Sequence, residues 1–347
     1  MKPALFVQAA GPFTTVQDLG RYGHQAAGIP VSGALDPVSL RVANALAGNA
    51  GDEAALEIRL AGPVLRVEAA RLRVALCGVS ASLQILAPEP RDVPAWQSVT
   101  LERGAVFRAG FQPGGSTAYL AVAGGFDLPQ VLESRSTCLR AGFGGLEGRL
   151  LADGDRVPLR LDAPDERTEL RASGLPDLAP PSKIRVVMGP QDDHFTEGAI
   201  AALLKGEFRI TRQADRMGLR LAGPQLAHRQ GHDITSDGIA TGAIQVPGDR
   251  QPILLLADHQ TTGGYPKIAT VISADLPAIG RMAAGDCLRF SAVSVAEAEA
   301  IHIANQTWID DLLRELEPLR TDPASLSSRA LLSKNLISGA FSAIDIA

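Results

Sequence analysis

Residues 118–125 read Ala-Tyr-Leu-Ala-Val-Ala-Gly-Gly, and a second apolar run of similar outline returns at residues 253–258 as Ile-Leu-Leu-Leu-Ala-Asp. Each is followed by a Gly-Asp turn, Gly154-Asp155 after the first and Gly285-Asp286 after the second. The separation is 35 residues from Tyr119 and 32 from Ile253. Gly62-Pro63 and Gly223-Pro224 precede apolar positions in the two halves as well. A repeat of this length predicts two related β-domains.

The rest of the chain reads the same way. Leu65 and Val67, then Leu72, Val74 and Leu76, alternate with other residues as strands do. Val99 and Leu101, Ile184, Val186 and Met188, Phe208 and Ile210, Ile244 and Val246, Val271 and Ile272, and Leu288 and Phe290 continue the pattern. Gly or Pro separates nearly all of these runs, which is the many-short-strands signature of barrels and sandwiches. The 35 Gly and 23 Pro are spread along all 347 residues. Hydrophobic residues make up 46% and aromatics 4%, so the core is aliphatic.

Three helices are expected. One runs from Asp36, as cap, to Gly48, with Pro37 at its first position. A second runs from Asp192, as cap, to Lys205, with Phe195, Ile200, Leu203 and Leu204 inward. A third begins at Ser294, whose spacing to Glu297 fits a capping box, and continues to Leu316. The Pro- and charge-rich stretch Asp162 to Ser182 reads as a linker. The domain reading is therefore 1–165, a linker over 166–182, a second domain over 183–293, and a helix with a docking tail over 294–347.

The formal charge is −5, with no basic run interleaved with aromatics, which argues against a nucleic-acid partner. No apolar run approaches the ~18 residues of a membrane helix. Cys77, Cys138 and Cys287 show no metal or redox spacing. They are read as reduced, buried thiols of a cytoplasmic protein. The six histidines form no metal pattern.

No familiar catalytic signature is present: no nucleophile elbow, no zinc-binding helix, no phosphate loop and no biotin-attachment motif. Polar chemistry gathers instead in short stretches. Asp18 and Arg21 lie three residues apart, and Asp215-Arg216 echoes them. Ser32 precedes the helix-capping Asp36. Arg135 stands among Ser134, Ser136 and Thr137. The densest stretch is DHQTTGGYP, residues 258–266, with Lys267 beyond it. The glycine cluster from Gly142 to Arg149 fits either a turn or an anion cradle. Acid–arginine pairs beside glycine turns often only brace loops, so structural and functional readings both stand at this point.

Taken together, TTVQDLGRYGH (14–24), GIPVSGALD (28–36), Leu56-Glu57, ESRSTC (133–138), GGLEGR (144–149), ADRMGLRL (214–221), DITSDGIATGAIQVP (233–247) and DHQTTGGYPKIATVISADL (258–276) carry a resemblance. The chain resembles the allophanate hydrolase subunit 2, or biotin-dependent carboxyltransferase, family, which includes the C subunit of bacterial 5-oxoprolinase. The resemblance implies an all-β fold of two cyclophilin-like β-barrel domains, with a few short helices and a C-terminal helical tail. It implies a smaller partner subunit of similar fold and, in the 5-oxoprolinase version, a third subunit, with ATP driving the opening of 5-oxoproline to glutamate. In the urea carboxylase version a carboxyl group passes from biotin, carried by another chain, to urea. A third version is a regulatory binder without catalysis of its own.

A site for a small anionic amide needs cations, a base and neutral donors. The candidates are Asp18, Asp258 and Lys267 for catalysis. Arg21, Ser32, Arg135, Arg216, Gln245, Gln260, Thr261, Thr262, Gly263, Gly264 and Tyr265 are the candidates for substrate binding. No metal is expected.

Overall fold

A computed structural model describes residues 2–78, 81–111, 117–174 and 181–319. The first half contains β1 (Ala4–Ala9), β2 (Phe13–Gln17), β3 (Ala55–Arg59), β4 (Val64–Val67), β5 (Arg71–Gly78), β6 (Ala81–Ala87), β7 (Arg91–Pro94), β8 (Ser98–Glu102), β9 (Val106–Phe111), β10 (Thr117–Val122) and β11 (Arg156–Pro158). They form two sheets, ordered β11-β1-β4-β9-β6-β7 and β2-β3-β10-β5-β8. One aliphatic core lies between them. Leu5, Leu56, Leu65, Val74, Phe107, Leu120 and Phe126 belong to it. Full burial of each such side chain contributes about 1.5–3 kcal/mol.

β12 (Leu170–Arg171) lies on the expected linker. The second half holds β13 (Ile184–Met188), β14 (Phe208–Ala214), β15 (Gly218–Ala222), β16 (Asp237–Gly238), β17 (Ala243–Gln245), β18 (Ile253–Leu255), β19 (Thr262–Gly263), β20 (Lys267–Val271), β21 (Cys287–Leu288) and β22 (Phe290–Ala292). Eight of these form one sheet, ordered β21-β14-β15-β18-β17-β20-β13-β22. Its two edge strands, β21 and β22, are separated in the chain by Arg289 alone. The sheet therefore curls until its ends nearly meet, which is how a barrel removes its edges. A second core, including Val186, Phe208, Leu221, Ile244, Leu254 and Phe290, fills it. The architecture is all-β, as expected.

The helices sharpen the reading from sequence. α1 (Pro37–Ala47) is capped by Asp36, whose carboxylate accepts from Val38 and Ser39, and stops at left-handed Gly48. α2 begins later than expected, at Glu197–Lys205. Residues 192–194 form only a 3₁₀ turn, and Thr196 is the cap, because its side chain reaches the Ala199 amide. A short α3 (Leu276–Gly280), unexpected from sequence, follows β20. α4 (Val295–Arg314) carries the Ser294–Glu297 capping box, and β23 (Glu317–Pro318) then pairs with β12. Leu312 of α4 packs with Leu40, Leu46, Trp96 and Tyr119 of the first half. The docking tail expected within 294–347 lies, from residue 320 on, outside the described residues. No helix among the described residues is long and apolar enough to cross a membrane.

The described part of the expected linker packs as ordered chain. Arg73, fully buried, pairs with Asp165 at 3.0 Å, and Ser98 donates to Glu169. Of the three thiols, Cys77 and Cys138 are buried and Cys287 is exposed. β21 is an edge strand of two residues, so alternation turns Leu288 inward and Cys287 out.

Candidate functional site

The halves meet along a seam of buried charge. Glu57 stands on β3 and Arg216 at the tip of the β14–β15 hairpin. Arg216 donates through Nη1 to Glu57 at 2.5 Å, through Nε and Nη2 to Asp258 at 2.9 and 3.2 Å, and through Nη2 to the Gly33 carbonyl at 2.6 Å. Burial by itself would lower the Arg216 pKa. The charges and hydrogen bonds of Glu57 and Asp258 more than offset this and raise it above the ordinary arginine value. The guanidinium is a permanent cation clamped between one acid from each half.

Behind Glu57 the network continues. Tyr119 donates to Glu57 Oε2 at 2.6 Å and accepts from the Asp36 amide at 2.9 Å, while the Leu35 amide donates to the same Glu57 oxygen at 3.0 Å. Burial, reinforced by Glu57 and Asp36, pushes the Tyr119 pKa well up, so it stays a phenol and a donor. Asp36 caps α1 and also receives Arg281 from the second half at 3.0 Å. The Thr117 hydroxyl donates to Gly280 O at 2.8 Å, and the Ser32 amide to Ala257 O at 3.0 Å.

Above this seam opens a cavity of about 460 Å³. Its floor is Glu57, Arg216 and Asp258. Phe13, Thr15 and Arg59 form one wall, and Arg212, Ala214, Asp215 and Met217 the other. The first wall follows from strand register: Phe13 lies opposite Arg59 and Thr15 opposite Glu57. Residues two apart share a face, so all four point the same way. Phe13, Leu60 and Leu139 stay exposed at the mouth.

The sequence candidates divide on this geometry. Asp258 and Arg216 lie at the floor of the cavity. Asp18 is buried, and every polar contact it makes is structural. It accepts from the Gly20 amide at 2.8 Å, the hydroxyls of Ser134 and Ser136 at 2.7 and 2.5 Å, and the Arg135 amide at 2.5 Å. A carboxylate with its lone pairs so occupied braces loops. Arg135 meets it through its backbone, while its side chain turns away to the Leu128 carbonyl at 2.8 Å. Arg21 donates to the Val131 and Ser136 carbonyls and lies 4.8 Å from the centre of the Phe143 ring. Burial lowers its pKa, against the opposing charges of Asp18, Cys138 and Asp258. Ser32 holds a left-handed backbone at φ 55° and lines a separate groove beside α1 and α4.

Lys267 lines neither cavity beside Arg216. Its ammonium, almost fully buried, holds Asp237 at 2.6 Å and the Gly238 carbonyl at 2.9 Å, and so fastens the β16–β19 ribbon. Gly263 belongs to that ribbon, and a Cβ there would approach Gln245 Nε2 at 2.7 Å. Gly264, Thr261 and Thr262 lie beside it. Gln245, Gln260 and Tyr265 line a second cavity of about 500 Å³ across the hairpin, which shares Arg212, Ala214, Asp215 and Met217 with the first. The glycine cluster at 142–149 is a set of turns. The Gly142, Gly145 and Gly148 amides donate to the Cys138, Arg135 and Gly144 carbonyls, and Arg149 is tied to Asp155 and Glu147.

Reading the sequence as separate stretches missed Glu57 as a site residue, together with Tyr119 and Arg59. Glu57 and Arg59 sit in an otherwise apolar strand, two residues apart, and that spacing was the available signal. The charge that meets Glu57 comes from the other half of the chain, so beyond that spacing nothing local marks it.

Known proteins place the chain. Residues 27–292 match the family described as carboxyltransferase domain, subdomain A and B. The chain is 37% identical over 305 residues to the C subunit of 5-oxoprolinase from Escherichia coli, covering 87% of this chain and 96% of that protein. It is 36% identical to the C subunit of 5-oxoprolinase from Haemophilus influenzae, covering 86% and 94%. It is 31% identical to a putative urea carboxylase of Emericella nidulans, covering 90% of this chain but 26% of that protein. In structure it is similar to the Kluyveromyces lactis urea carboxylase, with a TM-score of 0.82 at 30% identity, covering 93% of this chain and 30% of that one. The fold is thus two cyclophilin-like barrels, and the chain belongs to the carboxyltransferase subdomain A and B family.

Proposed function

We propose that this chain is a subunit of a heteromeric, ATP-dependent 5-oxoprolinase and that the seam cavity receives the cyclic amide. The observation that carries the reading is the Glu57–Arg216–Asp258 clamp at the floor of a cavity between the two halves. Near-complete coverage of relatives named as the C subunit of 5-oxoprolinase supports it.

In this reading Asp258, fixed by Arg216, positions the attacking water, and the Arg216 charge favours the oxyanion that forms at the amide carbon. Neither group has to reorganise, because Arg216 is held by Glu57 and the Gly33 carbonyl of the first half and in turn holds Asp258. The glycine cluster is a poor phosphate cradle, since its Gly142, Gly145 and Gly148 amides are spent on carbonyls. Nucleotide binding is therefore assigned to the partners: a smaller subunit of similar fold and a third subunit. The same proposal places the complex in the cytoplasm and divides the chain at 1–165 and 183–293.

A second reading, half of a biotin-dependent carboxyltransferase for urea or a related amide, is favoured by the structural likeness to urea carboxylase. Biotin would then arrive on another chain. Co-expression of this chain with its partner subunits separates the two. The expected result is ATP-dependent conversion of 5-oxoproline to glutamate. A complex that is inert toward 5-oxoproline but carboxylates urea from carboxybiotin would overturn the proposal.

A further inference from the structure

We infer that Arg59, supported by Arg212 and Arg140, is the carboxylate-binding element of the seam cavity and makes the site selective for an anionic amide over a neutral one. The inference rests on the functional reading above and assigns the specificity of the same site.

The charge balance of the cavity carries it. Glu57 and Asp258 are both taken by Arg216, and the Asp215 carboxylate accepts from the Met217 and Gly218 amides at 2.7 and 3.2 Å. Arg59, Arg140 and Arg212 remain. Arg59 is half-buried, its Nε is shielded from solvent, and its side chain meets no hydrogen-bond or ion-pair partner among the described residues. Among the described residues the Arg140 side chain makes one soft contact, to Met217 Sδ at 3.5 Å. Arg212 is exposed on the opposite wall. The lining carries four guanidinium groups against three carboxylates, an excess of positive charge in a chain of net −5. A half-buried guanidinium without a partner loses hydration without compensation, unless an anion completes its fork.

Position selects the anion. Arg59 and Glu57 lie two residues apart on one face of β3, about 7 Å along the strand. 5-Oxoproline carries its carboxylate on the ring carbon next to the amide nitrogen, so carboxylate and amide are close enough for two neighbouring positions on one strand face to serve both. A ligand holding its carboxylate at Arg59 lays its amide over the Arg216–Asp258 floor.

The test uses the complex reconstituted with its partner subunits. Arg59→Gln is expected to raise KM for 5-oxoproline about tenfold to a hundredfold, the loss of one charged hydrogen-bonding partner. KM for ATP and kcat should stay nearly constant. Arg59→Lys should fall between, because it keeps the charge and loses the fork. 2-Pyrrolidinone, the lactam without the carboxylate, should inhibit wild type and variant equally, which also reports an intact site. An unmoved KM for 5-oxoproline, or a rise confined to ATP, overturns the inference, the latter by assigning the cations to a phosphoryl group. Should Arg59→Gln fail to fold, Arg212→Gln provides the same readout with a smaller rise. A wild-type complex with no turnover of 5-oxoproline defeats the functional reading instead.

Discussion

The pair β3–β10 in the first half and the pair β15–β18 in the second are built alike and furnished differently. Each leads into the same four residues, Leu60-Ala61-Gly62-Pro63 and Leu221-Ala222-Gly223-Pro224. Each is antiparallel in matching register: Glu57 faces Tyr119 in the first, and Gly218 faces Leu255 in the second. The Gly-Asp turns match too. Asp155 and Asp286 each accept the amide three residues back at 2.8 Å. The contents diverge where the strands reach the seam. The first half plants a buried acid and a phenol in mid-strand. The second puts Gly218 and Leu255 there and supplies Asp258 three residues later, at the place that Val122 takes in the first. Repetition builds the two frames, and the site lies where they stop matching. The wiring also departs, since β8 precedes β10 in the chain while β20 follows β18.

The strongest way to break this comparison is at Arg216, which joins the odd residues of both halves. Arg216→Met leaves Glu57 and Asp258 buried without their ion-pair partner. A loss of about 3–5 kcal/mol is expected, read as a large drop in thermal midpoint, together with loss of activity. An unchanged midpoint would mean that the halves are held by their apolar contacts alone.

Asp258→Asn separates chemistry from packing. The amide keeps the shape and one acceptor, and Glu57 still balances Arg216, so the thermal midpoint should fall less than in Arg216→Met. Activity should fall about a hundredfold or more if Asp258 positions the reacting water. A variant that melts early while turning over normally would make Asp258 a scaffold residue.

Much of this was legible in the sequence, for physical reasons that can be named. Strand alternation and glycine or proline punctuation marked β5, β13 and β14, and the Asp36–Pro37–Gly48 signals bounded α1. Local chemistry also singled out Asp258 and Arg216, which the fold brings together at the cavity floor. Two kinds of feature were not legible. Asp18 and Lys267 look catalytic in a list of charged residues. Only the fold shows that Asp18 is saturated by Gly20, Ser134, Arg135 and Ser136, and that Lys267 is bound to Asp237. Glu57 and Arg59 look like ordinary strand residues, and only the opposite half makes them a site. The two double glycines, Gly124-Gly125 and Gly263-Gly264, look alike in sequence and differ in the fold. Gly124 and Gly125 are left-handed turn residues at φ 77° and 73°, whereas Gly263 lies in a strand.

Lys267 tests the ribbon that the first half lacks. Lys267→Met removes the bonds to Asp237 and the Gly238 carbonyl, and a loss of about 1–3 kcal/mol is expected from the groups left unpaired. Activity measured well below the new midpoint should stay within a few-fold of wild type. A collapse of kcat without loss of stability would return Lys267 to the chemistry.

The smallest effect is a pH dependence at His259, which stands where the first half has Ala123. Burial lowers its pKa from the usual 6.5, against the Gln260 carbonyl and the Asp258 charge. The ring is therefore neutral in the fold, with Nδ1–H donating to Gln260 O at 2.6 Å and Nε2 accepting from the Thr241 hydroxyl at 3.2 Å. A depressed histidine contributes stability that is complete above the unfolded pKa and lost as pH falls through the folded one. Below pH 6.5 the unfolded chain takes up a proton that the folded chain refuses. The slope reaches at most about 1.4 kcal/mol per pH unit. His228, also lowered by burial, adds to the wild-type slope in the same direction. Thermal midpoints recorded from pH 8 down to pH 5 should therefore fall less steeply in His259→Gln than in wild type. Equal slopes would mean that His259 titrates in the fold as it does in the unfolded chain and that burial does not depress it.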